Sequence, residues 1–261
     1  MNWKDRFPQK NRYFETERGI LYQGDCLKIM PMFPKNTFDA IITDPPFGIT
    51  QCQWDSVISL KDMWLNLKRI RKERTPIVLF SKGLFTGQLI MSNPNEFKYY
   101  WIWVKEQGIG NLNAKKRPLV ITEEILVFYK KQCKYNPQMR KGNPYRIIRQ
   151  KNKAEFLGKN GTHNNYTTVN NGYRYPVNLI YAQRELKNRY HPTQKPLVLM
   201  EYLIKTYTSE GDLVIDFTSG SGSTLVACEK LNRHWIGIEL NEKYCKVTKN
   251  RLLEIKNEQR I

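Results

Sequence analysis

Residues 41–48 read Ile-Ile-Thr-Asp-Pro-Pro-Phe-Gly, and this stretch decides the fold. Its β-branched start is typical of the end of a buried strand. Proline fixes its own φ and restricts the residue before it, so Pro45 and Pro46 hold the chain in an extended, rigid corner. Ligands of open α/β sheets bind at the carboxyl ends of the strands. The sequence therefore predicts that Asp44 and Phe47 stand side by side at a ligand site.

This corner suits a flat ring that carries an exocyclic amino group. Asp44 and the carbonyl oxygen of Pro45 would accept hydrogen bonds from the amino group, and Phe47 would stack on the ring. A structural interpretation fits the same residues: Asp44 caps a loop, the prolines form a turn and Phe47 belongs to the core. A short motif does not separate the two interpretations, so the choice rests on a second stretch.

The second stretch begins with Leu-Val-Ile-Asp-Phe-Thr-Ser-Gly-Ser-Gly-Ser-Thr at residues 213–224 and, after a helical pattern, ends with His-Trp-Ile-Gly-Ile-Glu-Leu at residues 234–240. An apolar run ends in Asp216, passes through a small-residue loop into a helix, and returns to an apolar run that ends in Glu239. Glycines in such a loop let the backbone approach a ligand, and the second-strand carboxylate is placed to accept ribose hydroxyls. The glycine spacing is not G-x-G-x-x-G, which disfavours NAD, while a plain strand–helix turn remains an alternative.

These two stretches, together with His-Pro-Thr-Gln-Lys-Pro at residues 191–196, resemble the amino-methyltransferases of DNA. The order of the motifs, with the Asp-Pro-Pro-Phe corner first and the glycine loop last, is that of the permuted β group. The resemblance covers the chain except for a segment near its middle. It implies an α/β fold, a Rossmann-like three-layer sandwich around a mostly parallel, seven-stranded sheet with circularly permuted motif order. It also implies S-adenosyl-L-methionine (AdoMet) as the cofactor, with no metal.

The roles of individual residues follow from this resemblance. An acid early in the chain contacts the adenosine part of AdoMet in the family, and Asp25 matches it, although its local sequence suits it equally to cap the next helix. The hexapeptide at residues 191–196 lines the AdoMet pocket near the methionine end. The expected catalytic residues are Asp44, Pro45, Pro46 and Phe47. The expected cofactor-binding residues are Asp25, Cys26, Asp44, His191, Thr193, Lys195, Asp216, Phe217, Thr218, Ser219, Gly220, Gly222, Ser223, Thr224, Glu239 and Leu240.

The sequence departs from the family's usual pattern at three places. Phe47 replaces the commoner tyrosine, which keeps the stacking ring and loses a hydroxyl. Phe217 and Thr218 replace the usual Pro-Phe, which shifts or removes an aromatic contact to AdoMet. Thr122 stands where the family often has histidine before a glutamate, which leaves it without an assigned role. Neither of the first two changes removes a hydrogen-bond acceptor, so we expect activity.

The implied reaction is transfer of a methyl group from AdoMet to the N6 amino group of adenine in DNA. Because the target nitrogen lies within a duplex, the base must leave the stack first and enter the pocket at the corner. Asp rather than Ser before Pro-Pro favours adenine over N4 of cytosine, although both occur in the group. The alternatives are an N4-cytosine DNA methyltransferase, a nucleic-acid-binding protein with a vestigial AdoMet site, and a methyltransferase of RNA or of protein glutamine. Fold alone decides none of them.

The charge distribution indicates a polyanionic partner. The chain carries a formal net charge of +19 over 261 residues, and residues 130–189 hold fourteen Lys or Arg and two Glu. The composition of this segment is compatible with disorder, but its tyrosines, interleaved with Arg and Lys, suit contacts to DNA phosphates and base edges. We interpret residues 131–190 as a target-recognition insertion between a catalytic half at residues 1–130 and an AdoMet-binding half at residues 191–261.

A second basic segment lies at residues 108–118, which form either an ordinary exposed hairpin or a phosphate-contacting loop. Double-stranded DNA is the expected partner, with single-stranded DNA as a further candidate and a homodimer by analogy with the family. The expected DNA-binding residues are Lys115, Lys116, Arg117, Arg140, Lys141, Arg146, Arg149, Lys151 and Arg174.

The remaining composition bears on metals and location. The five cysteines form no C-x-x-C pair and have no histidines at ligand spacing, which disfavours zinc and a disulfide framework. No apolar run approaches the ~20 residues that span a bilayer, and the N-terminus lacks the apolar region of a signal peptide. We therefore expect a cytoplasmic protein, of bacterial or phage origin given its Lys-, Asn- and Ile-rich composition.

The periodicity of apolar residues predicts the main elements. Residues 48–55 have no clear period, and we interpret them as a loop that closes over the base, with Trp54 as a core anchor or a base contact. Helices are expected at residues 60–71, 82–91, 197–207 and 241–255. Strands are expected at residues 76–80, 99–104 and 125–129, the last two as the antiparallel pair that ends the sheet.

Overall fold

A computed structural model describes residues 2–48, 57–149, 166–184, 190 and 194–258. The strands are β1 (Arg12–Glu15), β2 (Gly19–Gln23), β3 (Ala40–Thr43), β4 (Ile77–Ser81), β5 (Phe97–Ile109), β6 (Val120–Phe128), β7 (Arg140–Lys141), β8 (Tyr145–Arg149), β9 (Tyr166–Asn170), β10 (Tyr173–Arg174), β11 (Leu179–Tyr181), β12 (Leu213–Asp216) and β13 (His234–Glu239). The helices are α1 (Cys26–Ile29), α2 (Leu60–Ile70), α3 (Leu84–Ser92), α4 (Leu197–Tyr207), α5 (Ser223–Lys230) and α6 (Glu242–Glu258).

The chain divides into two compact units. The first combines Met1–Asn136 with Asn178–Ile261, and the second is Pro137–Val177. The second unit holds two short antiparallel pairs, β7 with β10 and β8 with β9. Leu179–Tyr181, which lies within the segment interpreted as an insertion, pairs as β11 with β5 in the first unit.

One sheet organises the first unit, with its strands in the order β1-β2-β13-β12-β3-β4-β6-β5-β11. Neighbours from β2 to β4 are parallel, whereas β6 runs antiparallel to both β4 and β5. The predicted mostly parallel α/β fold is therefore confirmed, as is the antiparallel pairing of β5 with β6. The sheet has nine strands rather than seven, because the short strands β1 and β11 are added at its two edges. The β5–β6 pair is thus not the end of the sheet.

Side-chain alternation along the central strands separates two apolar layers. In β3, Ile42 faces one buried cluster and Ile41 faces the other. The first cluster includes side chains of α4, α5 and α6, and the second includes side chains of α1, α2 and α3. Helices therefore cover both faces of the sheet, which explains why its central strands are continuously apolar. This arrangement is the expected three-layer sandwich.

The helices match their predicted positions closely. Helix α4 spans Leu197–Tyr207 as expected, and α2 ends one residue early because Arg71 has an extended backbone. Helix α3 begins at Leu84 rather than at residue 82, since Gly83 before it has φ +59°, outside the helical region. Strand β5 extends well beyond the predicted residues 99–104, because its pairing with β6 resumes after a register shift.

Truncation of Leu203 tests the packing of α4 on the sheet. Leu203 is fully buried, so Leu203→Ala leaves a cavity and should lower the free energy of unfolding by about 2–5 kcal/mol. Val198→Ala on the same helix is the matched control, because Val198 is 63% exposed and its truncation should change that free energy by less than about 0.5 kcal/mol. Urea denaturation followed by circular dichroism measures both. Equal losses in the two variants would contradict the buried face assigned to α4.

Candidate active site

A cavity of about 880 Å³ opens where β3, β12 and β13 end. The Asp-Pro-Pro-Phe corner follows β3, and the glycine loop follows β12, which pairs with β3. Both stretches therefore line one cavity, whose volume is typical of small-molecule sites. The predicted site residues on its wall are Asp25, Cys26, Asp44, Pro45, Pro46, Phe47, Lys195, Asp216, Phe217, Thr218, Ser219, Gly220, Ser223, Thr224, Glu239 and Leu240.

Among the predicted cofactor residues that the structure describes, Gly222 is not on this wall. Gly222 has φ +78°, and a Cβ there would lie 2.5 Å from Thr248 Cγ2, so the loop needs glycine for its own packing. His191 and Thr193 lie outside the described residues, as does Trp54. Lining residues that the sequence did not assign to the site include Lys82, Glu123 and Tyr244. The sequence offered one signal for Glu123: it follows Thr122 at the place where the family often has a glutamate after histidine.

Within the described ranges, Asp44 makes a side-chain hydrogen bond through one of its two carboxylate oxygens. Lys195 Nζ donates to Asp44 Oδ2. Oδ1 is buried and has no hydrogen-bond partner among the described residues. Burial raises the pKa of Asp44, and the Lys195 charge offsets part of that rise. A buried acceptor without a partner is rare in folded proteins, so Oδ1 is a candidate contact for a ligand.

The Lys195 ammonium is surrounded by acidic side chains and aromatic rings. Its ammonium also lies 3.5 Å from Glu123 Oε2, and Lys105 pairs with the other oxygen of Glu123. The Lys195 Nζ is 4.9 Å from the centre of the Phe80 ring and 5.8 Å from that of Phe47. Burial lowers the pKa of Lys195, but the neighbouring Asp44 and Glu123 outweigh it, so the pKa is raised and the side chain is charged. Lys195 thus contacts two residues of the corner, Asp44 and Phe47, as well as Glu123 and Phe80.

Asp216 serves the architecture of the site. Its Oδ1 accepts from Thr43 Oγ1 at 2.6 Å and from the Thr218 N–H at 3.1 Å, and its Oδ2 accepts from Thr224 Oγ1 at 2.5 Å. These donors belong to the end of β3, the glycine loop and the first turn of α5. The carboxylate therefore joins the two halves of the cavity wall, and both of its oxygens are occupied by protein donors.

Glu239 is oriented by the backbone of the glycine loop. The Gly220 N–H donates to Oε2 at 2.7 Å and the Asn241 N–H donates to Oε1 at 2.8 Å. Each oxygen keeps a second lone pair. A Cβ built on Gly220 would meet nothing within 4 Å, so this glycine turns an open face outward. Burial raises the pKa of Glu239, which its backbone donors partly counteract.

Two of the departures from the family pattern, at Phe47 and at Phe217-Thr218, have distinct structural consequences. Phe47 is half-buried, lines the cavity and lies 5.4 Å from the Phe85 ring, so it belongs both to the wall and to the packing around it. Phe217 is 1% exposed and packs in the core. The Thr218 hydroxyl donates to the backbone oxygen of Asp44 at 3.1 Å. Thr218 thus ties the glycine loop to the corner.

Asp25 caps a helix and also lies on the cavity wall. Its Oδ1 accepts from the Leu27 N–H at 2.9 Å, which caps α1, and the residue also lines the cavity. Cys26 beside it is buried, and burial raises the pKa of its thiol to about 12. A thiol with that pKa stays protonated, so Cys26 is part of the wall and does not act as a nucleophile.

The candidate DNA-binding residues fall into three groups. Lys115, Lys116 and Arg117 are exposed in the loop between β5 and β6, where Leu112 is also fully exposed. In the second unit, the exposed residues are Arg140, Lys141 and Arg146. Arg174 instead lies 4.5 Å from the Tyr145 ring centre and donates to Asn170 and to the Asn143 carbonyl, so it supports that unit's own structure. Arg149 lies in β8, and Lys151 is outside the described residues.

The described ranges contain no group of three or more His, Cys, Asp or Glu side chains that could hold a metal ion. In the same ranges, none of the helices has the length and apolar character needed to cross a bilayer.

The fold and cavity are those of a class of enzyme that uses AdoMet. Residues 38–250 match the sequence model of the N6/N4 family described as DNA methylase. That span is most of the chain, and the chain belongs to this family of AdoMet-dependent DNA methyltransferases.

Individual relatives agree with this membership. The chain is 30% identical over 236 residues to YubD of Escherichia coli (strain K12), which carries a provisional methylase name, and the match covers 89% of each protein. It is 28% identical over 243 residues to the type II methyltransferase M.HpaI of Haemophilus parainfluenzae, covering 88% of this chain and 72% of that protein.

Solved structures show the same fold. The M1.HpyAVI complex with S-adenosylmethionine has a TM-score of 0.62 and 27% identity, covering 89% of this chain and 98% of that one. The cytosine-N4-specific PvuII DNA methyltransferase has a TM-score of 0.68 at 18% identity, covering 93% of this chain and 89% of that one. At that identity, the second match supports the fold alone.

Asp216 should make the free energy of unfolding depend on pH, and an asparagine at this position should not. Burial raises the pKa of Asp216 from 3.8 to about 6, so the folded chain binds a proton more tightly than the unfolded chain. Stability contributed by this proton is present below about pH 4 and is lost as pH rises toward 6, by up to about 3 kcal/mol. Asp216→Asn removes this term. Urea denaturation at pH 4, 5, 6 and 7 should show a smaller decline in the variant than in the wild type.

An exposed aspartate provides the control for this measurement. Asp62→Asn on α2 should retain the wild-type dependence on pH, because Asp62 lies at the surface. Parallel curves for the wild type and Asp216→Asn would contradict the role of burial at Asp216.

Proposed function

We propose that this protein is a site-specific methyltransferase that modifies the N6 amino group of adenine in DNA, with the base turned out of the duplex into the cavity beside Asp44 and Phe47. The observation that carries the proposal is the buried Asp44 Oδ1, which has no hydrogen-bond partner in the part of the chain that the structure describes. An exocyclic amino group has the hydrogen that this acceptor lacks. The half-buried Phe47 ring beside it suits a flat base.

The residues of the cavity fit AdoMet as the methyl donor. Gly220 has an open face, and Glu239 is oriented with lone pairs left to accept from ribose hydroxyls. We assign the adenosine part to Asp25, Gly220 and Glu239, and the contact with Leu240 to the same part, since that side chain is 69% exposed on the cavity wall. When bound, AdoMet supplies an electrophilic methyl group on a positively charged sulfonium. His191 and Thr193 remain proposed for its methionine end.

The corner would activate the base by orienting it. The amino nitrogen of adenine is conjugated with its ring and is a poor nucleophile. Asp44 Oδ1 and the Pro45 carbonyl would each accept one of its hydrogens, which directs the lone pair out of the ring system, and Phe47 would hold the ring by stacking. Acceptors fixed in advance need no reorganisation during the reaction, so positioning and electrostatics would supply most of the rate. The Thr218 hydroxyl, bonded to the Asp44 backbone oxygen, helps to fix the corner.

We propose adenine rather than cytosine because of Asp44, the first residue of the corner. Asp44 stands before Pro45-Pro46 where a serine would favour N4 of cytosine, as the resemblance implies. The same acceptors would serve the amino group of cytosine, so the base is an outcome of the experiment below.

DNA contacts are proposed at two exposed basic surfaces. The first is the β5–β6 loop with Lys115, Lys116 and Arg117. The second is the Pro137–Val177 unit, where exposed cations accompany Tyr173 and Tyr175, which are 55% and 72% exposed. Cations of this kind contact phosphates and fix register, while tyrosines and polar side chains reach base edges. Lys151 and Arg149 stay proposals on the sequence alone.

Labelled AdoMet tests the reaction directly. Duplex DNA is incubated with the protein, digested to nucleosides and examined by mass spectrometry, and we expect label in N6-methyladenine. Asp44→Ala should lower the rate at least about a hundredfold, because it removes a preorganised acceptor, while AdoMet binding by calorimetry persists. Asp62→Ala, an exposed aspartate, should retain full activity. Label in N4-methylcytosine would replace the base, and AdoMet binding without label in DNA would overturn the proposal.

The salt dependence of DNA binding tests the β5–β6 loop. Lys115→Ala, Lys116→Ala and Arg117→Ala combined should weaken binding and reduce the slope of log K against log salt by up to about 2.7, since each phosphate contact contributes about 0.9. The control combines Lys35→Ala, Lys68→Ala and Lys72→Ala. These lysines lie near the amino end of β3, opposite the corner. An equal slope for both triple variants, from fluorescence anisotropy at several salt concentrations, would rule out the loop as a phosphate contact.

A further inference from the structure

Four charged side chains form a continuous chain that ends at the Asp44 carboxylate. Lys105 pairs with Glu123 Oε1, Glu123 Oε2 lies 3.5 Å from Lys195 Nζ, and Lys195 donates to Asp44 Oδ2. The side chains of Lys105, Glu123 and Lys195 are 5%, 10% and 8% exposed. They come from β5, β6 and the segment before α4, so three separate elements bring them together. The chemistry proposed above uses only the Asp44 end of this chain.

We propose that Glu123 is a positioning residue that acts on the base-binding corner through Lys195. Glu123 anchors the Lys195 ammonium beside the corner, and Lys195 occupies Asp44 Oδ2. Only Oδ1 is then left for the amino group of the base, and the carboxylate cannot turn to offer the other oxygen. This inference rests on the proposed function for its purpose, although the geometry of the four charges does not.

The charge balance explains why a second acid is needed. A buried ammonium is costly unless it is paired, and removing one partner of such a pair leaves an uncompensated charge. Two acids and two lysines balance in this chain, so Asp44 is not the sole counter-charge of Lys195. Glu123 contacts Lys195 at ion-pair distance, and its Oε2 has no hydrogen-bond partner in the described ranges. Lys195 therefore interacts with Glu123 through charge and donates a hydrogen bond to Asp44.

The surrounding groups act on Asp44 with opposite signs. Burial has the largest effect and raises its pKa; Lys195 lowers it, Glu123 raises it and Lys105 lowers it. Lys82, which follows β4, interacts with Glu123, Lys105 and Lys195. Asp216 on β12 is a further neighbouring acid, since Asp44 raises the pKa of Asp216. Glu123 and Lys195 should therefore move the titration of Asp44 in opposite directions.

Carbon-13 NMR of aspartate-labelled protein measures this without any enzymatic turnover. The Asp44 carboxyl signal is identified by its loss in Asp44→Asn and is titrated in each variant. Lys195→Met should raise the pKa of Asp44 by about 1–3 units, and Glu123→Gln should lower it by about 1 unit. Glu124→Gln is the matched control, because Glu124 lies next along β6, on the opposite face, and accepts from Thr86 Oγ1 at 3.3 Å. It should leave the Asp44 titration unchanged.

A double variant guards against misfolding of the single one. Lys105→Met with Glu123→Gln removes one charge of each sign, so no buried lysine is left without a counter-charge. The pKa of Asp44 should still fall, by less, because Glu123 influences Asp44 more strongly than Lys105 does. An Asp44 titration that stays at the wild-type position in both Glu123→Gln and the double variant would overturn the inference.

Kinetics then separate a positioning role from a structural one. Since Asp44 must be ionised to accept, the acid limb of kcat against pH should move to lower pH in Glu123→Gln and to higher pH in Lys195→Met. The kcat should fall about tenfold or more in the double variant with little change in KM for AdoMet, because the acceptor is misoriented. A uniform loss at every pH, with unchanged Asp44 titration, would indicate a structural role and count against the inference. If the wild type transfers no methyl group, the proposed function fails, while the NMR result still decides the role of Glu123.

Discussion

The hydrogen bonds of the Asp216 carboxylate hold the cavity together. Thr43 and Asp216 are 173 residues apart in the sequence, yet their side chains meet at 2.6 Å where two neighbouring strands end. The same carboxylate fixes the loop at Thr218 and the start of α5 at Thr224. The surface proposed to hold the base and the surface proposed to hold AdoMet are therefore positioned by one buried group. A reaction between two bound molecules depends on such fixed separation.

Three acids of the cavity wall, Asp216, Glu239 and Asp44, are satisfied by different kinds of donor. Asp216 takes neutral hydroxyls and one N–H, Glu239 takes backbone N–H groups, and Asp44 takes a charged lysine. Burial raises the pKa of all three. A lysine opposes that rise more strongly than a hydroxyl does. Of these three, the acid with a cationic partner is also the one with an oxygen that lacks a protein donor in the described ranges.

Much of the fold could be predicted from the sequence, because local patterns determine it. The apolar periods gave α4 within its bounds, and the strand–loop–helix pattern around Asp216 indicated the cavity wall. The edge strand Leu179–Tyr181 could not be predicted, since its three residues are ordered by pairing with a distant strand. The ion pair of Lys195 was missed for the same reason: its partner Asp44 is 151 residues away, and no spacing rule connects them. Long-range partners require the three-dimensional arrangement, whereas periodicity reports only neighbours.

The order of strands also bears on how the protein is made. Strands β2 and β3 are separated in the sheet by β13 and β12, which a ribosome synthesises nearly two hundred residues later. Until then β2 can pair only with β1, and β3 only with β4, so each strand has one unpaired edge. Unpaired strand edges favour association with other chains. Completion of this sheet is therefore a late event in biosynthesis, later than in a sheet of sequential hairpins.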